Sequence, residues 1–210
     1  MGGTCPGVSK ILDFLADRLA GGRATIGQVV VSGTYRLRHV DDEHGEIRET
    51  FTDPEDAQAL TLFTDDGQYR PLKTSPDLRH GWELRLASLA EVRLALDLLY
   101  PAALANALAL SQGRLTGTPL RETLGRQTGM YAVTKKLTNE EAGPLISSCC
   151  DDRTRCMNQI LWNIEGDLPT PLTHTREQIL ATPLPLVCTE ACCLVVAAAR
   201  QTVKSRPVNP

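Results

Sequence analysis

The sequence lacks a basic segment, a long apolar run and a secretion signal. Its net charge is −3 and its Lys and Arg residues are scattered, so it offers nucleic acid no basic stripe. No apolar run approaches the roughly 20 residues that span a bilayer, and the N-terminal MGGTCPGVSK has no apolar signal-peptide core. We therefore expect a cytoplasmic protein that binds neither nucleic acid nor a membrane.

Common catalytic patterns are missing as well. There is no Ser-His-Asp set, Gly-rich phosphate loop or paired-carboxylate motif, so hydrolase or kinase activity has no support. His39 and His44 flank VDDE in a predicted hairpin, where an Asp/His group is suited to a divalent metal. A solvated polar turn is the commoner outcome for such a segment. His80 and His174 stand alone in predicted loops.

Cysteine is scarce except in two short segments. SCCDDRTRC carries Cys149, Cys150 and Cys156, and CTEACC carries Cys188, Cys192 and Cys193. In a reducing cytoplasm such groups favour metal ligands or catalytic thiols over a disulfide framework.

The spacing within the two segments predicts which thiols act together. Cys188 and Cys192 are four residues apart on a predicted helix and would share one face, whereas Cys193 would turn away and pack as a small hydrophobe. Cys156 would complete the set with either Cys149 or Cys150, with a slight preference for Cys150, which would leave Cys149 as a packed residue at the end of the preceding helix. Four thiolates result.

The identity of the bound group stays open on spacing alone. Structural zinc sites usually use knuckles of two to four intervening residues, and CDDRTRC is wider. A [4Fe–4S] cluster is a larger object held by four Cys, so it accepts wider loops. The spacing favours a cluster over zinc, and thiol or packing roles are the third alternative.

The first half of the chain predicts an α+β domain over residues 1–113. An amphipathic helix over 8–19 precedes β structure in ATIGQVVVSGTYRLRHV, with a hairpin continuing through Gly45 into Ile47. A short helix follows the N-cap Asp53, and HGWELRLAS alternates as a strand with Trp82, Leu84 and Leu86 facing inward. Ser88 and Glu91 form a capping box for an apolar helix interrupted at Pro101.

The second half, residues 114–210, predicts a small and mainly helical domain. SQGRLTGTPL is the connector, and capping boxes at Thr138 with Glu141 and at Thr175 with Gln178 begin two helices. CTEACCLVVAAARQTV predicts a longer helix. So small a domain with few aromatics has a thin core, and a metal would staple it.

Three segments resemble a known family. RQTGMYAVTKKL, CCDDRTRCMNQILW and PLVCTEACCLVVAAAR are similar to the C-terminal part of bacterial sirohydrochlorin cobaltochelatase-like proteins, which append extra domains to a chelatase core. The resemblance covers residues 120–210 well and 8–110 more loosely. It implies a stabilising domain followed by a [4Fe–4S]-binding domain.

The resemblance also implies a site and partners. The cluster ligands would be Cys156, Cys188 and Cys192 with one of Cys149 and Cys150. Apart from the resemblance, Trp162 follows the first cysteine segment closely, where it either shields such a cluster from water or anchors the core. The His-Gly-Ser setting of the chelatase core does not occur, so we expect the chain to be the accessory half of a chelatase-like protein in tetrapyrrole or cobalamin metabolism. Its expected partners are a chelatase catalytic domain or protein and a tetrapyrrole.

Overall fold

A computed structural model describes residues 6–42, 44–61, 78–150, 158–162, 164 and 183–206, with the side chains of 6–8 and 158–159 excluded. The chain divides into two compact units. Unit 1 comprises Met1–Gln68, Ser75–Arg114 and Thr173–Leu186, and unit 2 comprises Tyr69–Thr74, Leu115–Leu172 and Val187–Pro210. The predicted α+β class is confirmed, because unit 1 has a five-stranded sheet and unit 2 is largely helical.

The described residues of unit 1 form a mixed sheet and three α-helices. Its elements, in chain order, are α1 (Pro6–Leu19), β1 (Arg23–Ile26), β2 (Val29–Ser32), β3 (Arg36–His39), a 3-10 helix (Val40–Asp42), β4 (Glu49–Phe51), a second 3-10 helix (Pro54–Leu60), β5 (Trp82–Arg85), α2 (Leu89–Leu99) and α3 (Ala103–Ser111). The strand order is β1-β2-β3-β5-β4. β4 and β5 are parallel, and the other neighbours are antiparallel.

The turn between β1 and β2 depends on glycine. Gly27 has a φ of +54°, and a Cβ there would lie 2.7 Å from Cζ of Tyr100. The same tyrosine hydroxyl accepts a 2.9 Å hydrogen bond from the backbone N–H of Gln28. Only glycine combines this left-handed conformation with such a close aromatic contact.

The hairpin predicted to run from β3 through Gly45 into Ile47 is wrong. β3 pairs instead with β5, and the next strand, β4, runs parallel to β5 on its other side. The carbonyl of Gly81 accepts hydrogen bonds from the N–H groups of Arg48 (2.8 Å) and Glu49 (3.1 Å). The backbone N–H groups that begin β4 therefore bond to the loop before β5, and not to β3 as the predicted hairpin required.

The helix signals of unit 1 are confirmed. The Asp53 side chain accepts from the Glu55 N–H at 2.9 Å and begins a helix of the 3-10 type. Ser88 accepts from the Glu91 N–H at 3.3 Å at the start of α2. Among the described helices, none is by itself long and apolar enough to cross a membrane; α2 and α3 meet the length and composition requirement only as a pair bent by 102°.

Glu83 corrects the strand prediction for HGWELRLAS, which placed it on the outer face. Its side chain is fully buried, like its neighbours Trp82 and Leu84. Arg85 and Arg38 both donate to its carboxylate, Arg38 through Nε at 2.6 Å. Burial raises the pKa of Glu83, but the hydrogen bonds of the two guanidinium groups hold it below its ordinary value. Arg38 of the neighbouring strand and Arg85 of the same strand thus make burial of the carboxylate tolerable.

Unit 2 is a small helical domain with a two-stranded sheet. Its elements are α4 (Leu120–Gly125), a 3-10 helix (Gly129–Lys136), α5 (Asn139–Cys150), β6 (Asn158–Ile160), β7 (Leu186–Cys188), whose first residue belongs to unit 1, and α6 (Cys193–Lys204). One apolar cluster contains buried residues of α4, α5 and α6, which are Leu120, Leu124, Ala142, Leu145, Cys149, Val195, Val196, Ala199 and Val203, together with Leu137, Trp162 and Ala191.

The predicted capping box of α5 is confirmed. Glu141 accepts from the Thr138 N–H at 2.8 Å, and Thr138 accepts from the Glu141 N–H at 3.3 Å. Arg206 donates to the same carboxylate and, through one N–H at 2.7 Å, to the Lys136 carbonyl. The Arg206 contact, followed by the Thr138 N–H, lowers the pKa of Glu141 to about 2. The predicted box at Thr175 and Gln178 lies outside the described residues.

Candidate functional site

The prediction that Cys188 and Cys192 share one helical face is wrong. Cys188 ends β7, where its carbonyl accepts a 2.9 Å hydrogen bond from the Leu161 N–H. The next carbonyl, of Thr189, accepts from the Thr118 N–H at 2.6 Å. These backbone groups are bonded to other segments and not within a helix, so α6 begins only at Cys193, with Cys192 as its extended N-cap.

The packing role predicted for Cys193 is also wrong. Its side chain is exposed, whereas Cys192 is partly buried and packs against the apolar cluster of unit 2. The helix was predicted to include Cys188, but α6 begins only at Cys193. This later start explains why Cys192 faces inward and Cys193 faces solvent. Cys188 is partly buried, and its Sγ donates to the Glu190 carbonyl at 2.9 Å.

The first cysteine segment is only partly within the described residues. Cys149 is buried near the end of α5, where it packs as expected, and Cys150 is the partly buried last residue of the helix. Cys156 lies outside the described residues. The assignment of Cys156, and the choice between Cys149 and Cys150 as a ligand, stay predictions.

The fold brings parts of both cysteine segments to one core. Cys149 belongs to the apolar cluster, and Cys150 and Cys192 pack against it. Cys188 lies beside this region, since Leu161, its hydrogen-bond partner, directly precedes the buried Trp162. Among the described residues no three sulfurs lie within 4.8 Å of one another. The described thiols are therefore not arranged around a single ion.

Trp162 supplies a test of whether the region suits an iron–sulfur cluster. Its side chain is 5% exposed, and its Nε1 is buried with no hydrogen-bond partner among the residues that the structure describes. An unpaired buried donor needs an explanation. A cluster with thiolate ligands carries sulfur atoms that accept hydrogen bonds, and these bonds help to set its potential. The donor in this core thus fits a sulfur-rich, electron-rich group.

The partial positive charge at the N-terminus of α6 also fits an iron–sulfur cluster. Cys192 occupies the N-cap of this 12-residue helix, and its own side chain makes no capping hydrogen bond to a described residue. A helix N-terminus carries partial positive charge and favours an anion. Thiolate ligands are anionic, so the position of Cys192 suits a ligand better than its predicted place inside a helix did.

Gly117 is a site-supporting residue that sequence reasoning passed over. A Cβ at this position would lie 2.2 Å from the carbonyl oxygen of Leu161 and 3.2 Å from the Trp162 nitrogen. The backbone of the connector at Gly117 therefore packs directly against the backbone of Leu161 and Trp162. The only sequence signal for this role is the glycine in TGTP, and the composition of that segment is typical of a flexible linker.

Family comparisons assign a class to each half of the chain. Residues 112–201 match the family model of a 4Fe-4S iron-sulfur cluster binding domain. Residues 13–111 match the family model of the DR2241 stabilising domain. No curated protein matches the chain significantly.

The structure is similar to that of DR2241 from Deinococcus radiodurans, with a TM-score of 0.79 and 28% sequence identity. The match covers 98% of this chain and 44% of that one. DR2241 is described as a multi-domain protein with structural similarity to chelatases but also with two additional novel domains. The chain thus spans less than half the length of this relative.

Proposed function

We propose that the chain binds one [4Fe–4S] cluster in unit 2 and acts as the iron–sulfur region of a chelatase-like protein. The observation that carries the proposal is the match of residues 112–201 to a 4Fe-4S domain, together with thiols from both cysteine segments at one core. Cys156, Cys188 and Cys192 would hold the cluster, with Cys149 or Cys150 as the fourth ligand. The exposed Cys193 takes no part.

When bound, the cluster supplies one-electron transfer, which serves either electron delivery or redox sensing. The protein's own part is to bind and shelter it. The hydrophobic side chains around Cys149 and Trp162 exclude water from one side of the iron–sulfur cluster. The N-terminus of α6 favours the negative charge of the iron–sulfur cluster. The exclusion of water and the helix N-terminus both act on the reduction potential of the iron–sulfur cluster. This favours a redox role over a purely structural role.

The partner in this proposal is a chelatase catalytic domain, and the pathway is tetrapyrrole metabolism such as cobalamin biosynthesis. Support comes from the description of DR2241 as chelatase-like with additional domains. Arginine is suited to bind the carboxylates of a tetrapyrrole, and two arginines of unit 2 already have partners within the unit. Arg121 donates to the Leu137 carbonyl at 2.7 Å, and Arg126 donates to the Glu190 carboxylate at 2.5 Å. A tetrapyrrole would have to compete for them.

Single serine variants of the anaerobically purified chain test the cluster. We expect bound iron and acid-labile sulfide in equal amounts with broad visible absorption, lost in Cys156→Ser, Cys188→Ser and Cys192→Ser. Cys193→Ser is the matched control, because it alters a neighbouring thiol that is exposed, and it should keep the wild-type iron content. Cys149→Ser and Cys150→Ser should differ from each other.

Two results would contradict the proposal. One is stoichiometric zinc and no iron in protein purified from iron-sufficient cells, which would indicate a structural zinc module. The other is full iron content in all of the variants.

A further inference from the structure

We propose that unit 1 carries a second metal site, formed by His39, Asp41 and His80, for a divalent first-row transition ion such as Zn²⁺. One ligand atom from each of the three residues lies within 4.8 Å of the other two. The site does not depend on the cluster of unit 2, because all three residues belong to unit 1.

The sheet topology explains why two distant histidines meet. β3 and β5 are antiparallel neighbours, with Arg38 opposite Glu83. The end of β3 at His39 therefore lies beside the start of β5, which His80 precedes by two residues. The two imidazole rings are 4.1 Å apart between centroids and tilted by 57°. His44, the partner that sequence spacing suggested for His39, is not a member of the group.

His39 is the buried anchor of the site. Its side chain is 1% exposed, and its Nε2 is buried with no hydrogen-bond partner in the described part of the chain. Its Nδ1 accepts from the Asp41 N–H at 3.2 Å and lies 3.7 Å from Asp41 Oδ2. Because Nδ1 accepts that bond, the proton of the neutral ring is on Nε2, and Nδ1 carries the lone pair that an ion beside Asp41 would take in place of the N–H group. Two imidazoles and one carboxylate are the donors that zinc and its neighbours prefer.

Asp42 orients the second histidine. Its Oδ1 is 3.2 Å from His80 Nδ1, while its Oδ2 accepts the Gly81 N–H at 2.6 Å. A proton on His80 Nδ1 that faces Asp42 leaves the lone pair on Nε2 for a metal. Metal-binding histidines commonly donate their second ring nitrogen to a carboxylate in this way. Asp42 is thus a positioning residue, and not one of the three ligands.

Access and coordination number indicate what the site would bind. The side chains of His80 and Asp41 are 58% and 74% exposed, so an ion can enter from solvent. Three protein ligands leave a coordination position for water or a small anion. Two imidazoles favour Zn²⁺ or Ni²⁺ over Mg²⁺, which prefers oxygen ligands.

Imidazole ¹⁵N signals of the full, untagged chain during Zn²⁺ titration test the site, because the chain has four histidines and thiol binding leaves their rings unshifted. We expect the signals of His39 and His80 to shift together and saturate with one ion, and Mg²⁺ to leave them unchanged. His80→Ala should abolish the shift of His39. Asp42→Asn should weaken binding about 10–100-fold.

His44→Ala is the matched control, since it removes a nearby histidine outside the group, and it should bind as the wild type does. Exposed His80 is chosen for substitution so that the core of unit 1 stays intact. The proposal is overturned if His39 and His80 do not shift at Zn²⁺ concentrations that saturate the thiols. It is equally overturned if His39 still shifts in His80→Ala, or if His44→Ala weakens binding as much as His80→Ala does.

Discussion

Trp162 and Trp82 are both buried, but their indole N–H groups differ. Nε1 of Trp82 donates to the Arg79 carbonyl at 2.6 Å, whereas Nε1 of Trp162 has no hydrogen-bond partner within the described ranges. A buried donor without an acceptor costs about 1–3 kcal/mol. A sulfur acceptor supplied with the cluster would remove that cost, and the proposed function therefore gives Trp162 a direct effect on the bound group.

We predict that Trp162→Phe keeps the cluster but makes its reduction potential more negative. A hydrogen bond to a cluster sulfur stabilises the reduced, more negatively charged state, and phenylalanine retains the ring without the donor. Potentiometric titration followed by visible absorption measures the change. Trp82→Phe is the matched control and should leave the potential at the wild-type value. An unshifted potential in Trp162→Phe would show that its N–H serves another purpose.

At the residue scale, the sequence showed which side chains belong to the candidate site better than it showed whether each of them is buried or exposed. The cysteine segments were recognised from spacing, and the packed state of Cys149 was expected correctly. The roles of Cys192 and Cys193 were exchanged because they depend on where a helix begins. Glu83 was misplaced because its burial depends on Arg38 of another strand, 45 residues away, which alternation within one strand does not reveal.

At the element scale, helix starts with a side-chain cap were predictable and strand partners were not. The caps at Asp53, Ser88 and Thr138 are local hydrogen bonds within three residues, so the sequence contains their whole cause. The parallel pairing of β4 with β5 joins segments more than 30 residues apart. Hydrophobic alternation predicts a strand, but it does not select the neighbour of that strand.

Gly117 offers a test of how unit 2 is assembled. Alanine at this position would place Cβ 2.2 Å from a backbone oxygen, which cannot move without shifting Leu161 and Trp162. We predict that Gly117→Ala destabilises the cluster-free chain by about 1–3 kcal/mol, as overpacking does, and lowers iron retention in the loaded chain. Denaturant unfolding measures the first effect and iron content after gel filtration the second.

Gly125 provides the control for this substitution. A Cβ at Gly125, the last residue of α4, would meet no heavy atom within 4 Å. Gly125→Ala should therefore leave stability unchanged or raise it by up to about 1 kcal/mol. Equal stability of the two variants would mean that the contact between the connector and Leu161 is not maintained in solution.

At the scale of the whole molecule, the order of an α+β half and a mainly helical half was predictable from periodicity and composition. The division at residue 113 stays a prediction about domains. The structure adds a feature that no local pattern indicated: residues 183–186 belong to unit 1, and Leu184 bridges Ile26 while its N–H bonds to the Thr25 carbonyl at 2.8 Å. The chain passes from unit 2 back to unit 1 before it reaches Cys188.

The two units differ in how much of their stability a metal can supply. Unit 1 has a fully buried core of large side chains, among them Phe14, Leu37, Trp82, Leu96 and Tyr100. Among the described residues, the core of unit 2 is smaller and contains three alanines and a cysteine. Because the free energy of metal binding becomes folding free energy, unit 2 should depend on the proposed cluster far more than unit 1 does.

We therefore predict that loss of the cluster lowers amide protection in α5 and α6 while the central strands β2, β3 and β5 keep theirs. Hydrogen exchange with mass spectrometry, comparing anaerobic loaded protein with protein from which iron has been chelated, measures both regions in one sample. Cys193→Ser, loaded and stripped in the same way, should reproduce the wild-type contrast, because its exposed thiol is not a ligand. An equal loss of protection in both units would mean that they unfold as one cooperative body, in which case the metal stabilises the whole chain and not the helical unit that holds its ligands.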